Sequence, residues 1–364
     1  MRTLWKTRSI TIGSTARPTT RTTTPSSTGN QEPTMKIVLN PPVEQDLCQK
    51  VKRTAPDAEV VMCQGDEVVP ACEDAEIIFG NYSIDILRAA KKLKWIQTTS
   101  AGMDANRIPQ ELKDSEILVS NASGVHAIQV AEHGFALMMA LMRGINESFH
   151  NQQKHEWKPR PTVTDIHDST VVIVGFGGIG KKFAEQASAF QARIIALDVQ
   201  GGDRPDYVEA IWPMDRFNEA VALADVVFLA CPHTDETDKL INAHCLDIMK
   251  ESAYVINTAR GRIVDEAAMI EGLKANKIAG AGLDVTEVEP LSSDSELWDL
   301  PNCIVTPHAA GWSPKRHHRT VGFFCENLKR YMAGEPIQNE IDKNVGFPDA
   351  DKRADDIRQI DTNA

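Results

Sequence analysis

The chain has 364 residues, of which 42% are apolar and 25% are charged, and its formal net charge is −12. This length favours two domains, and the composition is that of a globular protein with an ample core. The acidic balance argues against a nucleic-acid partner, because proteins that bind a phosphate backbone gather Lys and Arg on one face.

The seven cysteines are scattered and odd in number. This pattern predicts reduced, buried thiols in a cytosol-like compartment, without a disulfide framework. No apolar run reaches the roughly 18 residues of a membrane span, so no membrane partner is expected. We also expect no metal site, because His126, His133, His317 and His318 lack ligand spacing with an acid or a cysteine.

Residues 1–34 are rich in Thr, Ser, Pro and Arg, with Glu32 as the only acid. Such a segment buries too little apolar surface to order itself. It is either an organelle transit peptide, which would place the protein in an organelle matrix, or an over-extended reading frame that really starts at Met35. We favour the second interpretation and a cytoplasmic protein, because Met35 leads directly into a β-rich run.

From Met35 onward, short β-rich runs alternate with helical stretches. Strands are predicted at 36–39, 59–62, 76–79, 95–97 and 117–119, with helices such as 45–53 and 84–91 between them. This alternation predicts a parallel sheet that is covered on both faces. Residues 127–149 then form one long helical stretch rich in Ala, Leu and Met.

A second α/β unit begins at residue 170. Strands are predicted at 170–174, 193–197, 225–230, 254–257, 279–284 and 302–306. Six is the number of strands in a complete dinucleotide-binding sheet. A helix is predicted at 316–332, and the charged residues 347–364 are expected to form a flexible tail.

A glycine fingerprint, GFGGIG, lies between the 170–174 strand and a helical run. In this context Gly175 permits a tight turn, Gly177 lets the backbone approach a pyrophosphate, and Gly180 allows close packing of helix on strand. Gly178 and Ile179 complete the turn, whose N–H groups favour an anion. The fingerprint therefore predicts a dinucleotide cofactor.

The next predicted strand ends at Asp198. Its distance from the fingerprint is near the roughly 20 residues expected for the acid that binds the ribose hydroxyls. This carboxylate favours NAD, because it would repel the additional 2′-phosphate of NADP. Arg204 lies nearby in sequence and weakens that preference.

The last third of the chain carries a cation, a carboxylate and an imidazole, namely Arg260, Glu289 and His308. These three groups are what a 2-keto acid reductase needs. Arginine offers a planar fork of donors that suits a carboxylate and the neighbouring keto oxygen. Histidine exchanges a proton with that oxygen, and a nearby carboxylate favours the protonated imidazole.

Together these motifs resemble those of the D-isomer-specific 2-hydroxyacid dehydrogenase family. The resemblance covers residues 35–346. Its motifs are SAGMD at 100–104, NASG at 121–124, VAE at 130–132, the glycine fingerprint, PHTDET at 232–237, NTARG at 257–261, VDE at 264–266, GLDV at 282–285, EP at 289–290 and TPH at 306–308.

The resemblance implies two Rossmann-like, doubly wound parallel-sheet domains. An NAD-binding domain at 127–312 would be inserted into a discontinuous, flavodoxin-like substrate domain at 35–126 and 313–346. A small 2-keto or 2-hydroxy acid would bind in the cleft between the domains. The resemblance also implies a homodimer joined through the cofactor domain.

The resemblance further implies roles for individual residues. Arg260, Glu289 and His308 would be catalytic, and Asp284 would contact the nicotinamide carboxamide. Arg260 would also hold the substrate carboxylate, together with the backbone N–H groups of a short loop. That loop consists of Ser100, Ala101 and Gly102, and the remaining expected cofactor contacts are Pro232, Thr237, Thr258 and Ala259.

Two departures from family patterns narrow the expected substrate. A formate dehydrogenase that resembles this family has Gln where Glu289 stands, which disfavours that activity. Phosphoglycerate dehydrogenases commonly carry arginines after the third strand, whereas residues 79–83 read FGNYS without a cation. We therefore expect a small uncharged side group, with glyoxylate or hydroxypyruvate first and D-lactate-like acids second.

A different class of function stays open. Corepressors that resemble C-terminal-binding protein keep this fold, cofactor site and catalytic set, yet act chiefly as NAD-sensing scaffolds. Fold alone does not fix function. Turnover of keto acids separates the two possibilities.

Overall fold

The computed structural model describes residues 35–103, 105–159, 163–201, 203–348 and 352–354. The predicted leader at 1–34 and most of the predicted tail lie outside these ranges. The described chain forms two parallel β-sheets with helices packed on them, which confirms the predicted fold class. Among the described helices, none has the length and apolarity needed to cross a membrane.

The first sheet has five parallel strands in the order β2-β1-β3-β4-β5, which is the flavodoxin-like order. Its strands are β1 (Met35–Asn40), β2 (Ala58–Met62), β3 (Ile77–Gly80), β4 (Trp95–Gln97) and β5 (Leu118–Ser120). The helices that alternate with them are α1 (Gln45–Thr54), α2 (Val68–Cys72), α3 (Ile84–Ala89) and α4 (Gln110–Lys113). All five predicted strands are confirmed, because strands of a covered parallel sheet read as short apolar runs.

The second sheet has seven parallel strands in the order β12-β11-β10-β9-β6-β7-β8. They are β6 (Thr170–Val174), β7 (Arg193–Leu197), β8 (Ala210–Trp212), β9 (Val226–Leu229), β10 (Tyr254–Asn257), β11 (Gly280–Leu283) and β12 (Cys303–Val305). The order is that of a dinucleotide-binding sheet with a seventh strand added. The sequence predicts six of these strands and misses β8, a half-buried edge strand of 3 residues.

The helices after the first sheet are α5 (Ala127–Met142), α6 (Ile145–Gln153), α7 (Gly178–Ala189), α8 (Phe217–Leu223), α9 (Ala243–Ile248), α10 (Glu266–Lys274) and α11 (Arg316–Met332). The single helix predicted at 127–149 is wrong, because the chain forms two helices there. Gly144 separates them with a φ of +65°. A left-handed residue ends a helix, and glycine adopts that conformation without strain.

Helix α5 packs on the second sheet through Leu137, Met138 and Leu141, which are all buried. Gly134 lies over Phe228, and a Cβ at this glycine would stand 2.5 Å from the ring. A larger residue would push the helix away from the sheet. Glycine therefore sets the distance between α5 and β9, the neighbour of the strand that leads into the glycine fingerprint.

Helix α11 returns to the first sheet, although the whole second sheet separates the two in sequence. The ring of Phe324 is fully buried, with its centroid 4.9 Å from that of Phe79 and 5.3 Å from that of Trp95. Asn327 donates a hydrogen bond to the side-chain oxygen of Gln97 at 3.1 Å. The second sheet is thus inserted into the chain that builds the first, and the domain boundaries at 126 and 312 stay predictions.

Candidate active site

A cleft of about 420 Å³ lies between the two sheets. The side that belongs to the first sheet is lined by Tyr82, Ser100, Gly102, Met103, Arg107 and Ile108. The side that belongs to the second sheet includes His233, Arg260, Arg262, Glu287, Glu289 and His308. All these residues follow the carboxyl ends of strands, which is where open α/β sheets bind their ligands.

An imidazole–carboxylate pair stands at the cleft. The Nδ1 atom of His308 lies 2.8 Å from Oε2 of Glu289, and Oε1 of Glu289 accepts the backbone N–H of Thr286 at 3.3 Å. The carboxylate is an acceptor only, so Nδ1 carries the proton and Nε2 is the nitrogen that exchanges one. The imidazole is about half exposed, as a group that must reach a substrate requires.

The backbone of His308 is held in an uncommon conformation, with a φ of +50°. Its N–H donates to the carbonyl oxygen of Asp284 at 2.8 Å. The carboxylate of Asp284 is 1% exposed and accepts the hydroxyl of Thr306 at 2.6 Å and the N–H groups of Ala309 and Ala310 at 2.8 and 2.9 Å. The carboxylate therefore fixes the loop that presents His308.

The same contacts set the charge state of Asp284. Burial opposes ionisation, but hydrogen bonds from His133, Thr306 and the two loop amides hold the pKa of this carboxyl below its ordinary value. The predicted contact of Asp284 with the nicotinamide carboxamide stays a prediction. Bracing the His308 loop is a role that the sequence pattern did not indicate.

Arg260 follows β10 and is held by Asn257, which is fully buried. The side chain of Asn257 accepts the N–H of Ala259 at 3.0 Å and donates to the carbonyl oxygen of Arg260 at 2.9 Å. At the next residue, Gly261, a Cβ would stand 1.8 Å from the carbonyl oxygen of Thr286, so only glycine fits. These contacts restrict the backbone conformation around Arg260.

The guanidinium of Arg260 reaches across the cleft to the first sheet. Its Nη2 donates to the carbonyl oxygen of Gly102 at 3.1 Å. The carbonyl oxygen of Ser100 accepts the N–H of Ala122 at 2.7 Å. Within the described chain, none of the N–H groups of Ser100, Ala101 and Gly102 donates to another backbone carbonyl. Cation and amides thus lie together, as a carboxylate site requires.

The glycine fingerprint lies between β6 and α7, where the strand order reverses. Gly175 has a φ of +94°, and a Cβ there would stand 2.7 Å from the backbone of Cys231. A Cβ at Gly180 would stand 2.1 Å from the carbonyl oxygen of Gly175. At Gly177 nothing lies within 4 Å of that position, so this side of the turn is open to a ligand.

Other predicted members of the turn also lie in close packing. A Cβ at Gly178 would stand 3.0 Å from the Cα of Gly124, and Ile179 packs against the core under α7. The carboxylate of Asp198 accepts the N–H of Phe176 at 2.7 Å. The acid therefore fixes the fingerprint turn and remains at its edge.

The four remaining predicted cofactor residues divide into two pairs. Thr237 donates to the carbonyl oxygen of Pro232 at 2.8 Å, so its hydroxyl serves the turn after β9. Thr258 and Ala259 are buried after β10. The hydroxyl of Thr258 is buried without a hydrogen-bond partner, and a buried polar atom of this kind suits a ligand group. The turn and this hydroxyl together fit a dinucleotide.

Sequence reasoning missed six polar residues of the cleft: Tyr82, Arg107, His233, Arg262, Thr286 and Glu287. Nε2 of His233 lies 2.7 Å from Asp238, whose carboxylate also accepts the guanidinium of Arg262 at 3.0 Å. The signal that would have found them is position, because each follows the carboxyl end of a strand. In the described ranges, no group of three potential metal-ligating side chains occurs.

Fold and site together define a nicotinamide-dependent dehydrogenase of two α/β domains. Residues 135–310 match the profile of the D-isomer specific 2-hydroxyacid dehydrogenase, NAD binding domain. The chain is 32% identical to a glyoxylate reductase of Thermofilum pendens, over 84% of this chain and 86% of that one. It belongs to the D-isomer specific 2-hydroxyacid dehydrogenase family, whose general activity is the NAD-dependent dehydrogenation of 2-hydroxy acids.

Two further comparisons show how much of each chain the similarity covers. A D-3-phosphoglycerate dehydrogenase of Archaeoglobus fulgidus is 30% identical over 84% of this chain, which spans only 59% of that relative. A solved family structure from Aeromonas salmonicida superposes with a TM-score of 0.73 at 25% identity, covering 85% of this chain and 99% of that one. The fold is thus shared over nearly all of the described chain.

A buried histidine contacts the loop after β4. His126 is 4% exposed, and its Nε2 lies 2.9 Å from the carbonyl oxygen of Thr99. Burial lowers the pKa of His126 to about 4, with the charges of Arg316 and Arg319 adding to the effect and the Thr99 contact opposing it. The folded protein therefore keeps this imidazole neutral.

His126 predicts a loss of stability on acidification. An unfolded histidine titrates near 6.5, so the unfolded chain takes up the proton first as the pH falls from about 6.5 towards 4. The contribution of the neutral ring is complete above that window and lost within it. Between pH ~7 and ~4.5, the free energy of unfolding of the wild type should fall by roughly 2 kcal/mol more than that of His126→Gln. Urea unfolding measures this, with His317→Gln as the exposed control; equal losses in all three proteins would refute it.

Proposed function

We propose that the protein reduces a small 2-keto acid to the D-2-hydroxy acid with NADH. One observation carries the proposal: the His308–Glu289 pair and the Arg260–Gly102 contact lie in one cleft, at 2.8 Å and 3.1 Å. This supports the proposal, because an imidazole can exchange a proton and an arginine in the same cleft can bind a carboxylate. The fingerprint turn follows a strand of the same sheet.

The chain's own residues divide the work as follows. Arg260 and the N–H groups of Ser100 to Gly102 bind the substrate carboxylate, and Arg260 polarises the keto oxygen. His308 donates its Nε2 proton to that oxygen, while Glu289 accepts from Nδ1 and orients the ring. NADH, when bound, supplies the hydride to the keto carbon. In the reverse direction His308 removes the hydroxyl proton.

Two imidazole–carboxylate pairs of similar geometry and exposure allow a matched comparison. His308 lies 2.8 Å from Glu289 in the cleft, and His317 lies 2.9 Å from Glu44 outside it. His308→Ala should lower kcat for glyoxylate by about 10²- to 10⁴-fold, which is the contribution of a general acid. His317→Ala should leave it unchanged. NADH oxidation followed by absorbance measures both.

The same assay separates the scaffold alternative. Tight NADH binding without turnover of glyoxylate, hydroxypyruvate, pyruvate or branched 2-keto acids would support an NAD-sensing scaffold and contradict the reductase. A change of oligomeric state with NADH would strengthen that outcome. Equal losses in both histidine variants would show that His308 is not the acid.

The proposed substrates are glyoxylate and hydroxypyruvate, followed by D-lactate-like acids. The lack of a cation at 79–83 and the relative named glyoxylate reductase support this order. A second candidate is an acid with a distal anionic group. Arg107 favours it, because this side chain lines the first-sheet side of the cleft beside Met103 and Ile108. The relative named D-3-phosphoglycerate dehydrogenase also favours it.

Replacement of Arg107 distinguishes these candidates. The wild type should show a higher kcat/KM for hydroxypyruvate than for 3-phosphohydroxypyruvate, and Arg107→Gln should change the first by less than about twofold. Arg88→Gln, an exposed arginine paired with Glu111, is the matched control. The second candidate replaces the first if the wild type prefers 3-phosphohydroxypyruvate and Arg107→Gln lowers kcat/KM for that acid by about tenfold.

NAD is proposed over NADP because Asp198 holds a fixed negative charge at the end of β7. Its two oxygens accept the N–H groups of Phe176 and Gln200 at 2.7 and 2.8 Å. Arg204, the nearby cation, donates to the carbonyl oxygen of Val208 at 2.5 Å. Because that contact engages the guanidinium of Arg204 with the backbone, we expect the carboxylate of Asp198 to repel a 2′-phosphate.

Fluorescence titration with both reduced cofactors measures this preference. The wild type should bind NADH about tenfold or more tightly than NADPH, because a second like charge near Asp198 is unfavourable. Asp198→Asn should narrow the difference, whereas Asp203→Asn, an exposed neighbour, should not. Tighter binding of NADPH by the wild type would overturn the proposal.

A homodimer joined through the cofactor domain is also proposed. An apolar groove of about 470 Å³ runs between α5, α6 and residues 297–305. Its large side chains are unusually exposed, with Ile145 at 46%, Phe149 at 60% and Trp298 at 50%. Apolar patches of this kind mark interaction surfaces.

A reducing, cytoplasmic compartment is also proposed, because all seven cysteines are free and buried.

Light scattering tests the dimer. The wild type should have about twice the mass of the chain, and Phe149→Asp should reduce it to a monomer, because a buried unpaired charge is strongly unfavourable at an interface. Leu223→Asp introduces the same charge at an exposed apolar site outside the groove and should remain dimeric. A monomeric wild type would contradict the proposal.

A further inference from the structure

A chain of side-chain hydrogen bonds connects α11, α5 and the loop after β4. Arg319 donates from Nη1 to Oε1 of Gln129 at 2.5 Å. Nε2 of Gln129 lies 3.0 Å from Nδ1 of His126, and Nε2 of His126 lies 2.9 Å from the carbonyl oxygen of Thr99. We call Thr99, His126, Gln129 and Arg319 the hinge relay.

The hinge relay has one consistent direction. An arginine only donates, so Oε1 of Gln129 accepts and its Nε2 donates to Nδ1 of His126. The proton of a neutral His126 then lies on Nε2 and is donated to Thr99. Every contact has one donor and one acceptor. A second ring proton at Nδ1 would face the donating amide of Gln129.

The last contact sets the direction of a substrate-binding group. A peptide unit is planar and trans, so its carbonyl oxygen and the next N–H point to opposite sides. When His126 holds the carbonyl of Thr99, it therefore fixes where the N–H of Ser100 points. Ala122 does the same for the next unit, because its N–H holds the carbonyl of Ser100 at 2.7 Å.

The relay also spans both crossings between the sheets. α5 begins directly after His126, on the first crossing, and Arg319 lies in the first turn of α11, after the second crossing. Gln129 additionally approaches the carbonyl oxygen of Gly311, on the second crossing, at 3.5 Å. The relay therefore connects both crossings to Thr99.

We propose that His126 is a positioning residue, which aims the N–H of Ser100 at the substrate carboxylate and couples that aim to the two crossings. The inference rests on the proposed reductase function. A merely structural role predicts that any substitution lowers stability and leaves substrate binding alone. The two roles differ in which contact of His126 must be retained.

Two variants retain different halves of the contact. In His126→Gln the amide nitrogen reaches the position of Nε2 and still donates to Thr99. In His126→Asn the shorter side chain reaches the position of Nδ1 and still accepts from Gln129, while the carbonyl of Thr99 loses its donor. Both remove the imidazole ring, and Asn is one methylene shorter than Gln, so the Kd of NADH serves as the control for a general loss of packing.

The experiment measures KM and kcat for glyoxylate in the full-length wild type and both variants, together with the Kd of NADH. His126→Asn should raise KM by about tenfold, the effect of losing one hydrogen bond in a binding site. His126→Gln should stay within about twofold, and the Kd of NADH should be equal in all three. Equal KM values in the two variants would overturn the inference.

A second measurement separates failure of the inference from failure of the proposed function. Calorimetric titration of the NADH complex with oxamate, a non-reacting analogue of a keto acid, reports carboxylate binding without turnover. Weaker oxamate binding in His126→Asn alone supports the positioning role even if glyoxylate is not reduced. Equal oxamate binding in both variants, with turnover intact in the wild type, refutes the positioning role and leaves the reductase standing.

Discussion

The carboxyl ends of two parallel sheets meet at one cleft, and the chemistry of this protein depends on that constraint. Ser100 follows β4, Arg260 follows β10, and His308 follows β12. In a parallel sheet every strand ends on the same edge, so loops that are far apart in sequence converge without any long-range sequence signal. The insertion of the second sheet into the first then turns the two edges towards each other.

Convergence alone does not orient a side chain, and here buried polar groups do so. Asp284 and Asn257 are at most 1% exposed, yet each forms hydrogen bonds with the backbone of a loop that lines the cleft. A buried polar group without partners costs about 1–3 kcal/mol, so the loops cannot leave these contacts cheaply. The same contacts hold His308 in a left-handed backbone conformation that it would otherwise avoid.

The strands were predictable from sequence because covered parallel strands are short apolar runs with turn residues between them. The edge strand β8 escaped prediction because its 3 residues are only half-buried. The break at Gly144 escaped because composition on both sides favours helix, and only the backbone conformation of the glycine separates α5 from α6.

The candidate site was predictable at the level of residue types and less so at the level of geometry. Motifs named Arg260, Glu289 and His308, which the cleft brings together. The expectation of an uncharged side group on the substrate was based on one loop, at 79–83. Arg107 enters the cleft from the loop after the next strand. Strand order decides which loops line the same side of the cleft, and the local sequence pattern does not reveal strand order.

Arg260 links the two sheets, and its chemistry explains why arginine suits the position. It donates to Ala259 and to Gly102 across the cleft. A guanidinium presents five N–H donors in one plane, which lets a single side chain contact groups on both walls of the cleft. On the proposed function, the substrate carboxylate bridges a cation of the second sheet and amides of the first. Binding then favours the closed cleft, because the substrate gains its full set of contacts only when both walls are in place.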